Sequence, residues 1–426
     1  MPPTHHLTCE ICIVGAGCAG LGAAITASRL GARVILIERD PLLGGTTANA
    51  GVCVWQPGLC HEPLCRELYD RSAARGVAHI THARLLPGAD MPVKLRDPAA
   101  VYEYTYTRMV PWTREHANGY VIAFTPQGFD ATVREMLAAT GNCQVLDGTS
   151  FGVAETHGRR LTALTALSAS ANVHISARSF IDCTGDIDLA RAAGVATRCG
   201  EDPRCLYDEP GAPEIASPRL NGVTLMYAVG RRAGIERPLD CDAWRDGIVH
   251  GSADIAELPG GDLLVNNVFM MTGDDAHAMG PDRAYEALSR RIWLCWELTQ
   301  PRFGLQDYNI VWVAPRLGLR EGPRMVGRYV MTEHDFREGL QARRHDDIIA
   351  VGSQAMDTHG PTGGCVEAPN GPWGIPFRCL QPCEFDNLLV ASRGASFSHL
   401  AASAVRLQRT MVALGAAAAA RVVNDG

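Results

Sequence analysis

The stretch Ile11–Arg39, ICIVGAGCAGLGAAITASRLGARVILIER, decides how this chain is read. It opens on a β-branched apolar run, Ile11, Ile13 and Val14, the pattern of a strand buried on both faces. Gly15, Gly17 and Gly20 follow as GxGxxG, then an Ala-rich helical run to Leu30, then a second apolar strand, Arg33–Ile37, ending on Glu38. Gly15 permits the tight turn, Gly17 lets backbone approach a pyrophosphate, and Gly20 lets helix and strand pack closely. The helix start offers unpaired N–H groups and a positive dipole end to phosphate. Glu38, about 20 residues beyond the turn, is placed to accept hydrogen bonds from an adenosine ribose. With strand, turn, helix and acid all in place, the stretch implies a ligand with an ADP moiety.

Composition narrows the rest. The chain has 426 residues, 46% hydrophobic and 20% charged, with a formal net charge of −7. That is enough chain for two or three domains with their own cores. The acidic balance and the lack of Lys/Arg clusters argue against a nucleic-acid partner. The polar start, MPPTHHLTCE, runs directly into the first strand, and the Ala-rich end, Met411–Val423, is too short to span a bilayer. The expectation is a cytoplasmic protein with no membrane partner. Fifteen cysteines are scattered without paired metal-ligand spacing, so they read as buried reduced thiols and no metal site is expected. Cys9 and Cys12 form a CxxC, but an i, i+3 pair on a regular strand points to opposite faces.

Further along, Gly44, Gly45, Thr46 and Thr47 form a loop able to run close to a ligand while offering hydroxyls. From about Trp55 to Tyr120 the α/β rhythm lapses. This part holds a helix, Pro63–Arg75, and an alternating aromatic stretch, VYEYTYTRMVPW, read as strands of a second domain. The rhythm returns with a helix at Phe129–Thr140, a strand at Gln144–Leu146 and short strands between Ser150 and Ile175. The strand Phe180–Ile181 then runs into Thr184, Gly185 and Asp186, a turn of the kind that meets ligands at the carboxyl edge of a sheet. Gly222–Val229, Asp262–Met271 and Tyr308–Val313 read as strands. Ala284–Leu298, about Gly322–Thr332 and a segment ending near Val351 read as helices. Finally the strand Leu388–Val390 leads to Arg393 and Gly394 and one long helix.

Taken together, GAGCAG with Glu38–Arg39, GGTTANAG, ARSFIDCTGDIDLA, LGLREGPRMVGRYVMTEHDF, MDTHG, GIPFRCL and NLLVASRGASFSHLAASAVR resemble the FAD-dependent oxidoreductases of the glutathione-reductase-type flavoprotein fold. These are distant relatives of the fumarate reductase and succinate dehydrogenase flavoproteins. The resemblance implies an α/β fold: a Rossmann-like FAD-binding domain built from discontinuous segments, 1–57, 120–205 and 350–426. An inserted α+β substrate or cap domain would take 58–119 and 206–349. It implies FAD as cofactor, with Gly15, Gly17, Ala19 and Gly20 at the pyrophosphate and Glu38 with Arg39 at the adenosine ribose. Gly44, Gly45 and Thr46 would approach the flavin. The backbone near Phe151 would meet the adenine, with Thr184, Gly185 and Asp186 close by. Gly394 and the turn from Ser403 to Arg406 would lie at the ribityl chain and pyrimidine edge, where Arg406 and the helix dipole stabilise reduced flavin. Two departures stand out: Gly322–Pro323 replaces the Ser usual between Glu and Arg, and Gly415 with an Ala run replaces GQAAG.

For the chemistry, His359 in MDTHG and His399 in FSHLA are candidate acid/bases. Arg320, Glu321 and Arg324 form a set that could clamp a carboxylate or polarise a carbonyl. His61 is a third, weaker histidine. The expected reaction is hydride transfer between a small organic substrate, CH–OH/C=O or CH–CH/C=C, and flavin N5. Alternatives are an oxidase or monooxygenase reacting with O₂, or the FAD subunit of an electron-transfer complex. No second GxGxxG occurs, so electrons would pass through the substrate or a separate electron acceptor or donor.

Overall fold

The computed structural model describes residues 4–56, 59, 62–82, 120–360, 365–367 and 371–425. His61 and the VYEYTYTRMVPW stretch lie outside the described residues.

A seven-stranded sheet carries the molecule. Its order is Cys143–Leu146, Val34–Ile37, Thr4–Val14, Asn172–Asp182, Arg160–Ser168 and Thr149–His157, with Leu388–Val390 also on Asn172–Asp182. The first four strands and Leu388–Val390 run parallel, while the Thr149–His157 and Arg160–Ser168 strands are antiparallel. The parallel strands are near-continuous apolar runs because they are covered on both faces; Ile11, Ile13, Leu36, Phe180 and Val390 have no exposed surface. Parallel alignment places the carboxyl ends of Thr4–Val14, Val34–Ile37, Asn172–Asp182 and Leu388–Val390 along one edge. Ligands of open parallel sheets sit there.

The helix Cys18–Arg29 packs on the C-terminal helix Gln408–Asn424 at very short range. A Cβ on Gly415 would stand 1.8 Å from the Ala19 carbonyl oxygen, and one on Gly22 would stand 2.2 Å from that of Val412. Glycine at both positions is what lets the two backbones touch.

A four-stranded antiparallel sheet, ordered Asp254–Glu257, Leu263–Asn266, Tyr227–Gly230 and Asn309–Val313, forms a second layer, supported by the helix Pro281–Phe303. It lowers Trp312 onto the loop after Glu38. Gly51, at φ +66°, would bring a Cβ to 2.7 Å from the indole Cη2. Among the described residues no helix is long and apolar enough to cross a membrane.

Several sequence expectations are corrected. Cys9 and Cys12 do not point apart. Glu10 and Ile11 both donate their N–H to the Arg33 carbonyl, a local irregularity that brings the two thiols together. Each thiol shifts the other, Cys12 lowering Cys9 and Cys9 raising Cys12. The helix expected over Gly322–Thr332 is absent. Pro323 and Gly327 break it, and Arg324–Met325 pairs instead as a short strand with Thr197–Arg198. The helix expected to end near Val351 is a six-residue helix, Glu333–Glu338, stopped by Gly339 at φ +64°. Val351 itself belongs to the strand Ile348–Gly352. The long C-terminal helix is two helices, His399–Val405 and Gln408–Asn424, parted where Leu407 turns extended at ψ 144°. The strands expected at Gly222–Val229 and Asp262–Met271 are shorter, Tyr227–Gly230 and Leu263–Asn266.

Candidate active site

At the carboxyl edge of the main sheet the glycine turns touch one another. Gly15, at φ +93°, fits because its missing Cβ would lie 2.9 Å from the Cys183 carbonyl group. Gly20 lies under Gly15, where a Cβ would approach the Gly15 oxygen to 1.8 Å. Gly44 donates its N–H to the Ala16 carbonyl at 2.8 Å and bridges to Gly17. Gly45, at φ +48°, would press a Cβ to 2.8 Å from the Gly17 Cα. On the other side Gly394 abuts Ile187 and the Pro323 carbonyl, and Arg393 reaches the Asp186 carboxylate at 2.8 Å. A Cβ at Gly322 would stand 2.3 Å from Asp186 Oδ1, so a larger residue there would have to move that carboxylate.

Gly17 differs from its neighbours. A Cβ there would meet nothing within 4 Å. It is the N-cap of the Cys18–Arg29 helix and no side chain caps that helix, so the first-turn N–H groups face open space. Glu38 is buried, accepting from Ala16 N at 2.7 Å and Asp40 N at 3.0 Å. Burial raises its carboxyl against those two N–H groups, and each oxygen keeps a lone pair for a ribose hydroxyl. Open space at Gly17, uncapped amides and a fixed carboxylate together fit the ADP half of a dinucleotide. Ala19 is buried in the same helix, whereas Arg39 is exposed and 3.8 Å from Asp40 Oδ2. Phe151 is half-buried on the Thr149–His157 strand, which begins with Thr149 donating to the Glu38 carbonyl at 2.8 Å. Thr46 is half-buried, its carbonyl accepting from Val52 N.

One residue that the motif reading passed over organises the second turn. Asp182, with no exposed surface, accepts from Thr184 N at 2.9 Å, Thr184 Oγ1 at 2.7 Å and Ala190 N at 2.8 Å. Burial pushes its carboxyl up to about 6 against those donors. An Asp ending an apolar strand inside FIDCTGD was the available signal.

The catalytic candidates gather on a neighbouring wall. Arg324 is only 1% exposed. It donates to the Phe397 carbonyl at 3.1 Å, the Gly200 carbonyl at 2.8 Å, Asp202 at 3.0 Å and Glu321 Oε1. Its fork is engaged by protein acceptors, so it braces the wall and is not placed to clamp a substrate. Glu321 Oε1 also bonds His399 Nδ1 at 2.9 Å, and Oε2 accepts from Asn221 N and Nδ2 at 3.0 and 2.9 Å. Burial would raise Glu321, but His399, Arg324 and the Asn221 amide outweigh it and hold the group below the usual carboxylate range. A charged Glu321 fixes Nδ1–H as the donor on His399, which leaves the Nε2 lone pair free. His399 is 4% exposed, and among the described residues no protein group bonds Nε2. Its own N–H donates to Asp202 at 2.9 Å, and Ser398 caps its helix by accepting from Ala401 N.

His359 sits differently. Its Nε2 is 2.9 Å from Asp357 Oδ2, and burial, then the Arg320 and Arg406 charges, push it down to about 4 against Asp357. Asn221 Oδ1 accepts its N–H at 3.1 Å and Gly222 N donates to its carbonyl at 2.9 Å, so residues 221–222 knit both histidines into one wall. Arg320 donates to the Gly222 carbonyl at 2.7 Å. Ser403 accepts from Asp357 N at 3.1 Å, and Arg406 lies 3.7 Å from Asp357 Oδ2 with its Nε buried and unbonded among the described residues. The break at Leu407 ends the short helix at Arg406, which puts that side chain beside Asp357. Asp202, Asn221 and Asp357 were missed in the sequence because nothing local marks them.

No group of three or more metal-ligating side chains occurs among the described residues.

A 52-residue segment is 40% identical to 4-oxocyclohex-2-ene-1-carboxylate 5-dehydrogenase of Sinomonas cyclohexanicum, covering 12% of this chain and 9% of that protein. A 45-residue segment is 52% identical to a fumarate reductase (cytochrome) of Shewanella frigidimarina, covering 11% of this chain and 8% of that protein. These matches therefore span less than a tenth of each relative's length. Among solved structures, a geranylgeranyl bacteriochlorophyll reductase-like protein of Thermoplasma acidophilum aligns over 98% of this chain and 79% of its own. The identity is 14% and the TM-score 0.49. Residues 10–423 match the profile of the FAD dependent oxidoreductases, and the chain belongs to that family.

Proposed function

We propose that the protein is a dehydrogenase or reductase of a small organic substrate, with His399 as the acid/base. Bound FAD supplies the hydride acceptor or donor for a CH–OH/C=O or CH–CH/C=C interconversion. The chain's own residues do the rest. The Gly17 helix start and Glu38 would hold the ADP half, Gly44, Gly45 and Thr46 would line the way to the ring, and Ser403 and Arg406 would lie near its pyrimidine edge.

One observation carries the assignment of the base. His399 has Nδ1 tied to a charged carboxylate and Nε2 unengaged, the arrangement in which an imidazole accepts a proton in a fixed direction. His359, pushed down to about 4, is a weak base at neutral pH and serves instead to orient Asp357. Glu321 stabilises the imidazolium once His399 has taken the proton, and Arg324 with Asp202 keeps Glu321 and the His399 backbone in place.

The test is anaerobic flavin bleaching by a panel of small hydroxy- and oxo-compounds, followed by His399→Asn. The proposal expects reduction without oxygen and a loss of about 10²- to 10⁴-fold in that rate for His399→Asn. An unchanged rate would remove His399 as base. Turnover only with O₂ and an external reductant would replace the proposal with a monooxygenase.

A further inference from the structure

We propose that Arg320, with Arg406 beside it, receives a carboxylate carried by the substrate. The inference rests on the reading of this wall as the substrate site.

Arg320 has a single protein partner among the described residues, the Gly222 carbonyl on Nη1, so Nε and Nη2 remain available as an adjacent pair of donors. Such a pair matches the two oxygens of a carboxylate. Arg406 has an unbonded buried Nε and only long contacts to Asp357, 3.5 Å to its carbonyl and 3.7 Å to its carboxylate. Of the two half-buried guanidinium groups only Arg406 touches Asp357, which acts on Arg320 at longer range. Both guanidinium charges help hold His359 neutral, and Asp254 adds only a longer-range attraction to Arg320. Burial, and after it the Arg406 charge, push Arg320 down to about 9 against Asp357 and Asp254. Arg324, the other arginine of the REGPR stretch, is ruled out because protein acceptors take its fork. Arg393 is paired with Asp186. The oxidised flavin ring carries no charge, so it would offer Arg320 no anion, and a substrate carboxylate would. A carboxylate fixed at Arg320 would also orient the reacting carbon relative to His399, since Glu321 follows Arg320 directly and holds the imidazole.

The experiment titrates FAD-loaded enzyme with acetate, benzoate and succinate and with their amides, following heat and the flavin difference spectrum. The proposal expects at least one carboxylate to bind saturably and its amide to bind at least about tenfold more weakly. Arg320→Gln should weaken that carboxylate by about 10- to 100-fold, and Arg320→Lys should restore part of the loss. Because the titration reads binding without turnover, its failure is distinct from a failure of the assignment of the base. No saturable binding of any of the three carboxylates, equal binding of acid and amide, or an Arg320→Gln affinity equal to wild type would overturn it. Should Arg320→Gln fail to fold, Arg320→Lys with wild-type affinity overturns it as well.

Discussion

Replacing Gly17 by Ala separates the ligand's demands from those of the fold. The backbone there has φ −68° and ψ −177°, which any residue adopts, and the added methyl meets no protein atom within 4 Å. The apo protein should lose no more than the N-cap difference between Gly and Ala, a few tenths to about 1 kcal/mol. The bound pyrophosphate, however, must approach this backbone closely. A methyl pressed against it costs about 1–3 kcal/mol by overpacking, and displacement weakens N–H bonds to a charged phosphate worth about 1.5–3 kcal/mol each. Taking about 3 kcal/mol in all, the FAD dissociation constant should rise on the order of 100-fold. Flavin fluorescence quenching on apo protein measures the affinity, and thermal unfolding of the same samples measures the fold. Gly20→Ala is the contrast, because its Cβ would stand 1.8 Å from the Gly15 oxygen and damage the turn with or without ligand. A Gly17→Ala protein that binds FAD within about threefold of wild type, a difference under 1 kcal/mol, would refute the reasoning.

Two further predictions follow from packing and charge. Gly415→Ala puts a Cβ 1.8 Å from the Ala19 oxygen, so it should destabilise the protein by about 3 kcal/mol, at the upper end for overpacking, read as a clear drop in Tm. An unfolded imidazole takes its proton near pH 6.5, whereas folded His359 takes it only near 4. The unfolded state binds more protons in that window. Stability should therefore fall as pH drops from about 6.5 to 4, with about 3 kcal/mol from this residue. Denaturant unfolding at several pH values should show that dependence weakened in His359→Gln.

What the sequence revealed and what it hid divide along sequence separation. Gly15, Gly17, Gly20 and Glu38 lie within one βαβ unit, where spacing alone dictates their placement, and the structure presses Gly44 and Gly45 against them. The role of Arg324 was not legible, because Phe397, Asp202 and Gly200 stand 73, 122 and 124 positions away. Nothing in REGPR distinguishes an arginine facing a ligand from one bracing a wall. Likewise the bond between His399 and Glu321 joins residues 78 apart, and the return of the strand Leu388–Val390 to the main sheet helps bring them together. Helical periodicity ran straight through Arg406–Leu407 because those residues are compatible with a helix. The break reflects tertiary bonds instead, Gln408 to the Val52 carbonyl and Arg409 to the Gln56 carbonyl.

The most direct test of the account is a crystal structure of the FAD-loaded protein with a bound substrate carboxylate. It should show phosphate oxygens on the N–H groups at the start of the Cys18–Arg29 helix and the reacting substrate atom within hydrogen-bond reach of His399 Nε2. A flavin seated away from Gly17, or a substrate carbon out of reach of that nitrogen, would contradict it.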